Sequence, residues 1–172
     1  AAPTACPAGS YCASVDTVPT PCPAGSYSNA TKATSANACA PCPSGTFCFP
    51  QGQTAPTNCS AGTFCPSSGL SSPPQCPPGS YCPSSGMTAP LVCSPGNFCP
   101  SSNMTAMIPC TVGFYCPSSG MSTAAPCPPG SYCPSSGMST PILCPAGLYS
   151  PFTSATSINT CQACLAGYWK GI

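Results

Sequence analysis

The chain has 172 residues, of which only Asp16, Lys32 and Lys170 are charged, and it contains no His, Arg or Glu. Without a basic patch it lacks the electrostatic footprint that nucleic-acid binding requires; without a base or a pair of carboxylates it has nothing to activate a nucleophile or cleave a glycoside. Ile, Leu, Val and Phe together number 19, no more than the 19 cysteines, so an oily core is out of reach and disulfides are the expected substitute, at a density associated with secreted scaffolds.

These numbers narrow the function classes. The sequence offers no catalytic residue and no small-molecule substrate, and an enzyme is not expected. C-x2-C occurs twice, at Cys39 with Cys42 and at Cys161 with Cys164, far apart and with no His to complete a zinc site, so no metal is expected. No apolar run reaches the roughly eighteen residues a membrane-spanning helix needs, and no membrane insertion is expected. The chain has no initiator Met or signal peptide and stops inside a repeat, which reads as a processed chain or an excerpt of a longer one.

In chain order, short modules open at Cys6, Cys22, Cys42, Cys59, Cys76, Cys93, Cys110, Cys127, Cys144 and Cys164. Residues 1–21 hold the first module, 22–41 a long one of 20 residues, 42–143 six of 17 residues, 144–163 a second long one, and 164–172 the start of another. A short fixed period means an array of small units in line, not one globular core. Three residues after each opening cysteine stands a glycine, and two further on an aromatic: Tyr11, Tyr27, Phe47, Phe64, Tyr81, Phe98, Tyr115, Tyr132, Tyr149 and Trp169.

The physical sense of C-P-x-G-x-Tyr/Phe is a tight turn running into a short extended piece. Pro presets φ, Gly supplies the positive φ that closes a type II turn, and the aromatic is expected to pack over the neighbouring disulfide or the next module's Pro. A second half, Pro-Ser-Ser-Gly-Met or Leu, follows; in the Cys93 module Asn103 replaces its Gly, as suits a second left-handed position. The 27 prolines exclude long helix. The expected fold is therefore one of small disulfide-rich repeats in an elongated linear array, with short β-strands and turns and little or no helix.

The two long modules depart alike. Ser28 and Ser150 stand where the second cysteine is due, and a new cysteine, Cys39 or Cys161, appears seventeen residues after the opener. The count therefore stays at two per module, which suggests bridges closed within modules: Cys6–Cys12, Cys22–Cys39, Cys42–Cys48, Cys59–Cys65, Cys76–Cys82, Cys93–Cys99, Cys110–Cys116, Cys127–Cys133 and Cys144–Cys161. Cys164 is left over, with a partner expected beyond Ile172. A rival scheme joins each second cysteine to the next opener, as in Cys82–Cys93, and strands Cys6. Rings of about 7 and 12 residues differ by only about 0.5 kcal/mol in closure entropy; the constant five-residue gap after each opener favours the first scheme.

The run C-P-A-G-x-Y-S followed by C-x2-C, from Cys22 to Cys42 and again from Cys144 to Cys164, resembles the ephrin-receptor-like cysteine-rich repeat, a relative of tumour-necrosis-factor-receptor and EGF-like modules. That resemblance implies extracellular, disulfide-bonded modules strung into rods, and arrays of this kind are similar to those in surface and filament proteins of algae and other protists. The seventeen-residue variant, with a cysteine directly after the aromatic, departs from the usual family pattern.

Modification sites are the remaining signal. Asn29-Ala30-Thr31 and Asn103-Met104-Thr105 are N-glycosylation sequons, and Asn58-Cys59-Ser60 matches formally, although a bridged Cys59 hinders it. Covalent N- and/or O-linked glycans, the latter on Ser and Thr, are expected to supply the hydration that charge does not; no other cofactor is expected. The sequence thus leads to an extracellular, glycosylated structural protein whose partners are copies of itself, joined head to tail in a fibre. The alternative is a ligand-binding or adhesive ectodomain of a cell-surface receptor, with Phe49, Gln51, Gln53, Phe152 and Trp169 as its candidate contacts. An ice-binding solenoid would need a Thr ladder in one register, which Thr88, Thr105 and Thr123 do not keep.

Overall fold

The structure, a computed structural model, describes residues 4–14 and 18–164. They fall into two compact units, one built from residues 1–76 and 82–90 and the other from 77–81 and 91–172. Both are made from the same seventeen-residue idea. The module that opens at Cys76 contributes to each.

The turn at the head of a module follows from its residues. In Cys42-Pro43-Ser44-Gly45-Thr46 the Thr46 amide donates to the Pro43 carbonyl at 3.1 Å, and Gly45 has φ of +82°, the value that the third residue of a type II turn takes and that costs Gly no Cβ clash. The hydroxyl at the next position tightens this turn in several modules. Ser26 donates to the Pro23 carbonyl at 2.7 Å, Thr46 to that of Pro43 at 2.6 Å, Thr63 to that of Ser60 at 2.7 Å and Ser131 to that of Pro128 at 2.7 Å.

From the turn the chain runs extended for two residues and later pairs, antiparallel, with the two residues that precede the next opening cysteine. In the first unit these hairpins are β1 (Ser10–Tyr11) with β2 (Thr20–Pro21), β3 (Ser26–Tyr27) with β4 (Ala40–Pro41) and β5 (Thr46–Phe47) with β6 (Thr57–Asn58). A single antiparallel bridge, Thr63 to Gln75, takes the same place in the Cys59 module.

In the second unit the hairpins are β7 (Ser80–Tyr81) with β8 (Leu91–Val92), β9 (Asn97–Phe98) with β10 (Ile108–Pro109), β11 (Phe114–Tyr115) with β12 (Ala125–Pro126), β13 (Ser131–Tyr132) with β14 (Ile142–Leu143) and β15 (Leu148–Tyr149) with β16 (Gln162–Ala163). Pro closes β2, β4, β10 and β12 and has no amide to offer a further strand. Among the described residues every sheet stays two-stranded.

Isolated two-stranded pairs of this length do not hold themselves together. Here the backbone groups they leave over are met by the next module. In the first unit the amides of Gly9, Gly25, Gly45 and Gly62 donate to the carbonyls of Ser28, Cys48, Cys65 and Cys82 at 2.8–2.9 Å. In the second, those of Gly79, Gly96, Gly113 and Gly130 donate to the carbonyls of Cys99, Cys116, Cys133 and Ser150 at 2.7–2.9 Å. The carbonyl of each of these glycines accepts in turn from the amide of the next opening cysteine, as Gly45 does from Cys59 at 3.1 Å and Gly96 from Cys110 at 2.9 Å.

A second left-handed residue closes the later half of the modules from Cys22 to Cys144. In the first unit Gly52, Gly69 and Gly86 donate from their amides to the opening-cysteine carbonyls of the preceding modules, Cys22, Cys42 and Cys59, each at 2.8 Å. Asn103 has φ of +64°, the conformation expected of the residue standing in for Gly. Lys32 and Ser154 take the same role in the long modules, with φ of +61° and +57°, and their amides donate to Cys6 and Cys127.

What these modules bury is sulfur. Thirteen cysteines between Cys22 and Cys133 have no exposed surface, and the only other buried apolar residues among those described are Cys6, Ala33 and Ala155. The bridges of the structure are Cys6–Cys12, Cys22–Cys39, Cys42–Cys48, Cys59–Cys65, Cys76–Cys82, Cys93–Cys99, Cys110–Cys116, Cys127–Cys133 and Cys144–Cys161, with Cα atoms 5.5–6.3 Å apart. Each module closes on itself. The aromatics of the repeat position, by contrast, are half-buried from Tyr11 through Tyr132, and Tyr149 is exposed; the largest fully buried side chains are those of cysteines. Trp169 lies outside the described residues.

The long modules reach the same end by another route. Ser28 and Ser150 occupy the second-cysteine place, 3% and 0% exposed. Their hydroxyl oxygens accept from the amides of Ala30 and Phe152, both at 3.4 Å. The replacement cysteine then arrives through one 3-10 turn, Ala36–Ala38 before Cys39 and Ile158–Thr160 before Cys161. Cys164 carries no bridge among the described residues, but its amide donates to the Gly147 carbonyl at 3.0 Å, the bond every other opener after the first makes.

Candidate functional surface

With the backbone engaged between modules and the sulfur inside, what remains for function is the set of side chains each module turns outward. Among the described residues these include one charge, Lys32, and no group of three or more His, Cys, Asp or Glu that could hold a metal. No helix there is long and apolar enough to cross a membrane.

One of the places where side chains turn outward is the bend between a module's second cysteine and its second left-handed residue. In five modules that bend is the same tripeptide: Pro66-Ser67-Ser68, Pro83-Ser84-Ser85, Pro100-Ser101-Ser102, Pro117-Ser118-Ser119 and Pro134-Ser135-Ser136, every residue of it exposed. The register places Asn29-Ala30-Thr31, Phe49-Pro50-Gln51 and Pro151-Phe152-Thr153 at the same bend in the three remaining modules whose bend is fully described.

Two of the three sequons therefore fall at this bend of their own modules. Asn29 opens the bend of its module, and Asn103 closes that of the Cys93 module; both are exposed, as are Thr31 and Thr105. Asn58 is also exposed but lies in β6, directly before the buried, bridged Cys59. Its side-chain Cγ stands 4.0 Å from where a β-carbon on Gly86 would sit.

Of the candidate contacts of the receptor reading, Phe49 is 66% exposed and Phe152 is 53% exposed, Gln51 beside Phe49 is exposed as well, and Gln53 is half-buried. The main chain of Gln53 is used internally, its carbonyl accepting from the Ser28 amide at 3.0 Å. A feature the sequence reading did not single out is the apolar outer strand of the second unit: Leu91, Val92, Ile108, Ile142 and Leu143 are all exposed, Leu143 at 73%. Their position one or two residues before an opening cysteine was the available signal, since the strand there pairs on one side only.

The chain matches no protein-family model and no curated protein. What is shown is a cysteine-rich repeat with its disulfides and hairpins.

Proposed function

We propose that this chain is an extracellular structural protein, a glycosylated repeat rod stapled by disulfides that forms or belongs to a fibre, with no catalytic role. The observation that carries the reading is the hydrogen bonding from one module to the next. The glycine amides from Gly9 to Gly130 and the opening-cysteine amides from Cys22 to Cys164 are satisfied by neighbouring modules, a heterologous contact of the kind that propagates along a line and does not close. The resemblance to ephrin-receptor-like repeats supports an extracellular setting. So do nine bridges in a chain of this size, which persist where the surroundings are oxidising.

Head-to-tail addition of copies is the partner relation this reading calls for. Negative-stain electron microscopy and sedimentation of purified protein over a range of concentrations test it. Fibres that lengthen with concentration are the expected result; dispersed short particles at high concentration overturn the fibre reading. The exposed Phe49 beside Gln51 supports a second reading, an adhesive or ligand-binding ectodomain. Retention on a glycan or cell-surface array that is lost on Phe49→Ser, without fibre formation, would favour it.

A further inference from the structure

We propose that the five exposed Pro-Ser-Ser bends, 66–68, 83–85, 100–102, 117–119 and 134–136, are acceptor sites for O-linked sugar, so that each of these modules carries its glycan at the same position of the repeat. The proposal rests on the glycosylated, extracellular reading above and names the residues that carry it.

Three observations point there. The first is that these serines do nothing for the fold. Hydroxyls that serve the backbone are recognisable in this protein, as with Thr46 on the Pro43 carbonyl at 2.6 Å. Among the described residues, none of the ten bend serines has a side-chain hydrogen-bond partner.

The second is that the bond between modules does not need the tripeptide. Phe49-Pro50-Gln51 leads into Gly52, whose amide donates to the Cys22 carbonyl at 2.8 Å, and Pro151-Phe152-Thr153 leads into Ser154, which makes the matching bond to Cys127 at 2.8 Å. Unrelated tripeptides thus lead into the same bond between modules. Yet Pro-Ser-Ser is identical in all five modules, while the equally exposed pair after the opening cysteine varies in those same modules: Ser60-Ala61, Pro77-Pro78, Ser94-Pro95, Thr111-Val112 and Pro128-Pro129. Copying alone would have kept both.

The third is that Asn29 and Asn103, acceptors of the other sugar linkage, sit at this same bend. A surface with Lys32 as its one described charge has few strongly hydrated groups, and a sugar at each bend supplies them without altering a single internal bond.

The chemistry is a glycosyl transfer from a nucleotide-activated sugar. The serine Oγ forms a bond to the anomeric carbon as the bond from that carbon to the nucleoside diphosphate breaks. The diphosphate leaves with the electron pair, and the hydroxyl proton passes to a base of the transferase. The bend presents Oγ free of competing hydrogen bonds, which is what an external enzyme requires.

Glycopeptide mass spectrometry on protein purified from its own source, combined with alkaline β-elimination to mark the substituted serines, tests the assignment. The expected result is hexose or pentose increments on each of the five bend peptides, at least one per bend, with dehydroalanine at the serines named. Sugar confined to Asn29 and Asn103, or carried on other Ser and Thr, overturns the bend assignment and leaves the glycosylated reading standing. Phosphate increments at these serines overturn the sugar class. An intact mass equal to the polypeptide less its bridge hydrogens overturns both.

Discussion

The α-carbon of Gly45 faces the carbonyl oxygen of Gly86, so closely that a β-carbon on residue 45 would stand 2.7 Å from it. The two glycines lie two modules apart in the chain, beyond the neighbour to which Gly45 is hydrogen-bonded. The same approach joins Gly25 to Gly69 in the first unit, and Gly96 to Gly137 and Gly113 to Ser154 in the second. One residue therefore fixes three modules: it turns its own, donates to the next and leaves room for the one after.

Gly45→Ala and Gly130→Ala separate these duties. Gly130 has φ of +85° with nothing among the described residues within 4 Å of its would-be β-carbon, so against those residues alanine there loses only the left-handed conformation, about 1–2 kcal/mol. At Gly45 the Gly86 carbonyl must also move, adding about 1–3 kcal/mol as overpacking does elsewhere. Chemical denaturation of the two variants with bridges intact checks this; equal losses would mean the two-module contact carries no weight.

The sequence showed the module grid and the turn because both rest on residues with one physical job: Cys to bridge, Gly at Gly45 to take positive φ. Asn103 was legible for the same reason. Lys32 and Ser154 were not, because neither residue type announces a left-handed backbone; only the hydrogen bonds to Cys6 and Cys127 reveal it. The aromatics were expected to pack over a neighbouring disulfide or Pro; Tyr81 and Phe98 are half-buried, whereas the largest fully buried side chains are cysteines. The Gly45–Gly86 approach was out of reach altogether, since a contact across two modules leaves no mark on a seventeen-residue pattern.

Removing one bridge is expected to loosen its neighbourhood and not the whole chain, because contacts in such arrays are between near neighbours. In Cys93→Ser with Cys99→Ser, the lost loop constraint of about seven residues is worth about 2.4 kcal/mol. The amides bonded to these two carbonyls are those of Gly120 and Gly79, both at 2.8 Å. Hydrogen exchange should show these two amides losing protection while Gly9 and Gly25 keep theirs. Uniform loss across all four would contradict local coupling.

Because Ser28 has the burial and the backbone bonds of a second cysteine, the long-module bridge is expected to be transplantable. Ser28→Cys with Cys39→Ser should join Cys22 to the thiol introduced at position 28, a shorter loop whose closure entropy is smaller by about 0.8 kcal/mol. Non-reducing peptide mapping decides: a cross-linked peptide holding Cys22 and position 28, with every other bridge kept, is the expected product. A free thiol at position 28 would show that Ser28 does not stand in the cysteine's place.

Ser154 is held at φ of +57° with no side-chain hydrogen bond in return, while its amide donates to the Cys127 carbonyl at 2.8 Å. The left-handed conformation costs a non-glycine residue about 1–2 kcal/mol, whereas glycine loses about 0.5–1 kcal/mol more chain entropy on folding than alanine does. Ser154→Gly should therefore stabilise the chain, by about 0.5–1 kcal/mol, and Ser154→Val should destabilise it, because a β-branched residue tolerates positive φ least. Denaturant midpoints of the two variants measured beside the parent give the test. A midpoint for Ser154→Gly at or below the parent's would mean that the long module relaxes out of this conformation, and that the bond to Cys127 is not what joins it to the module before.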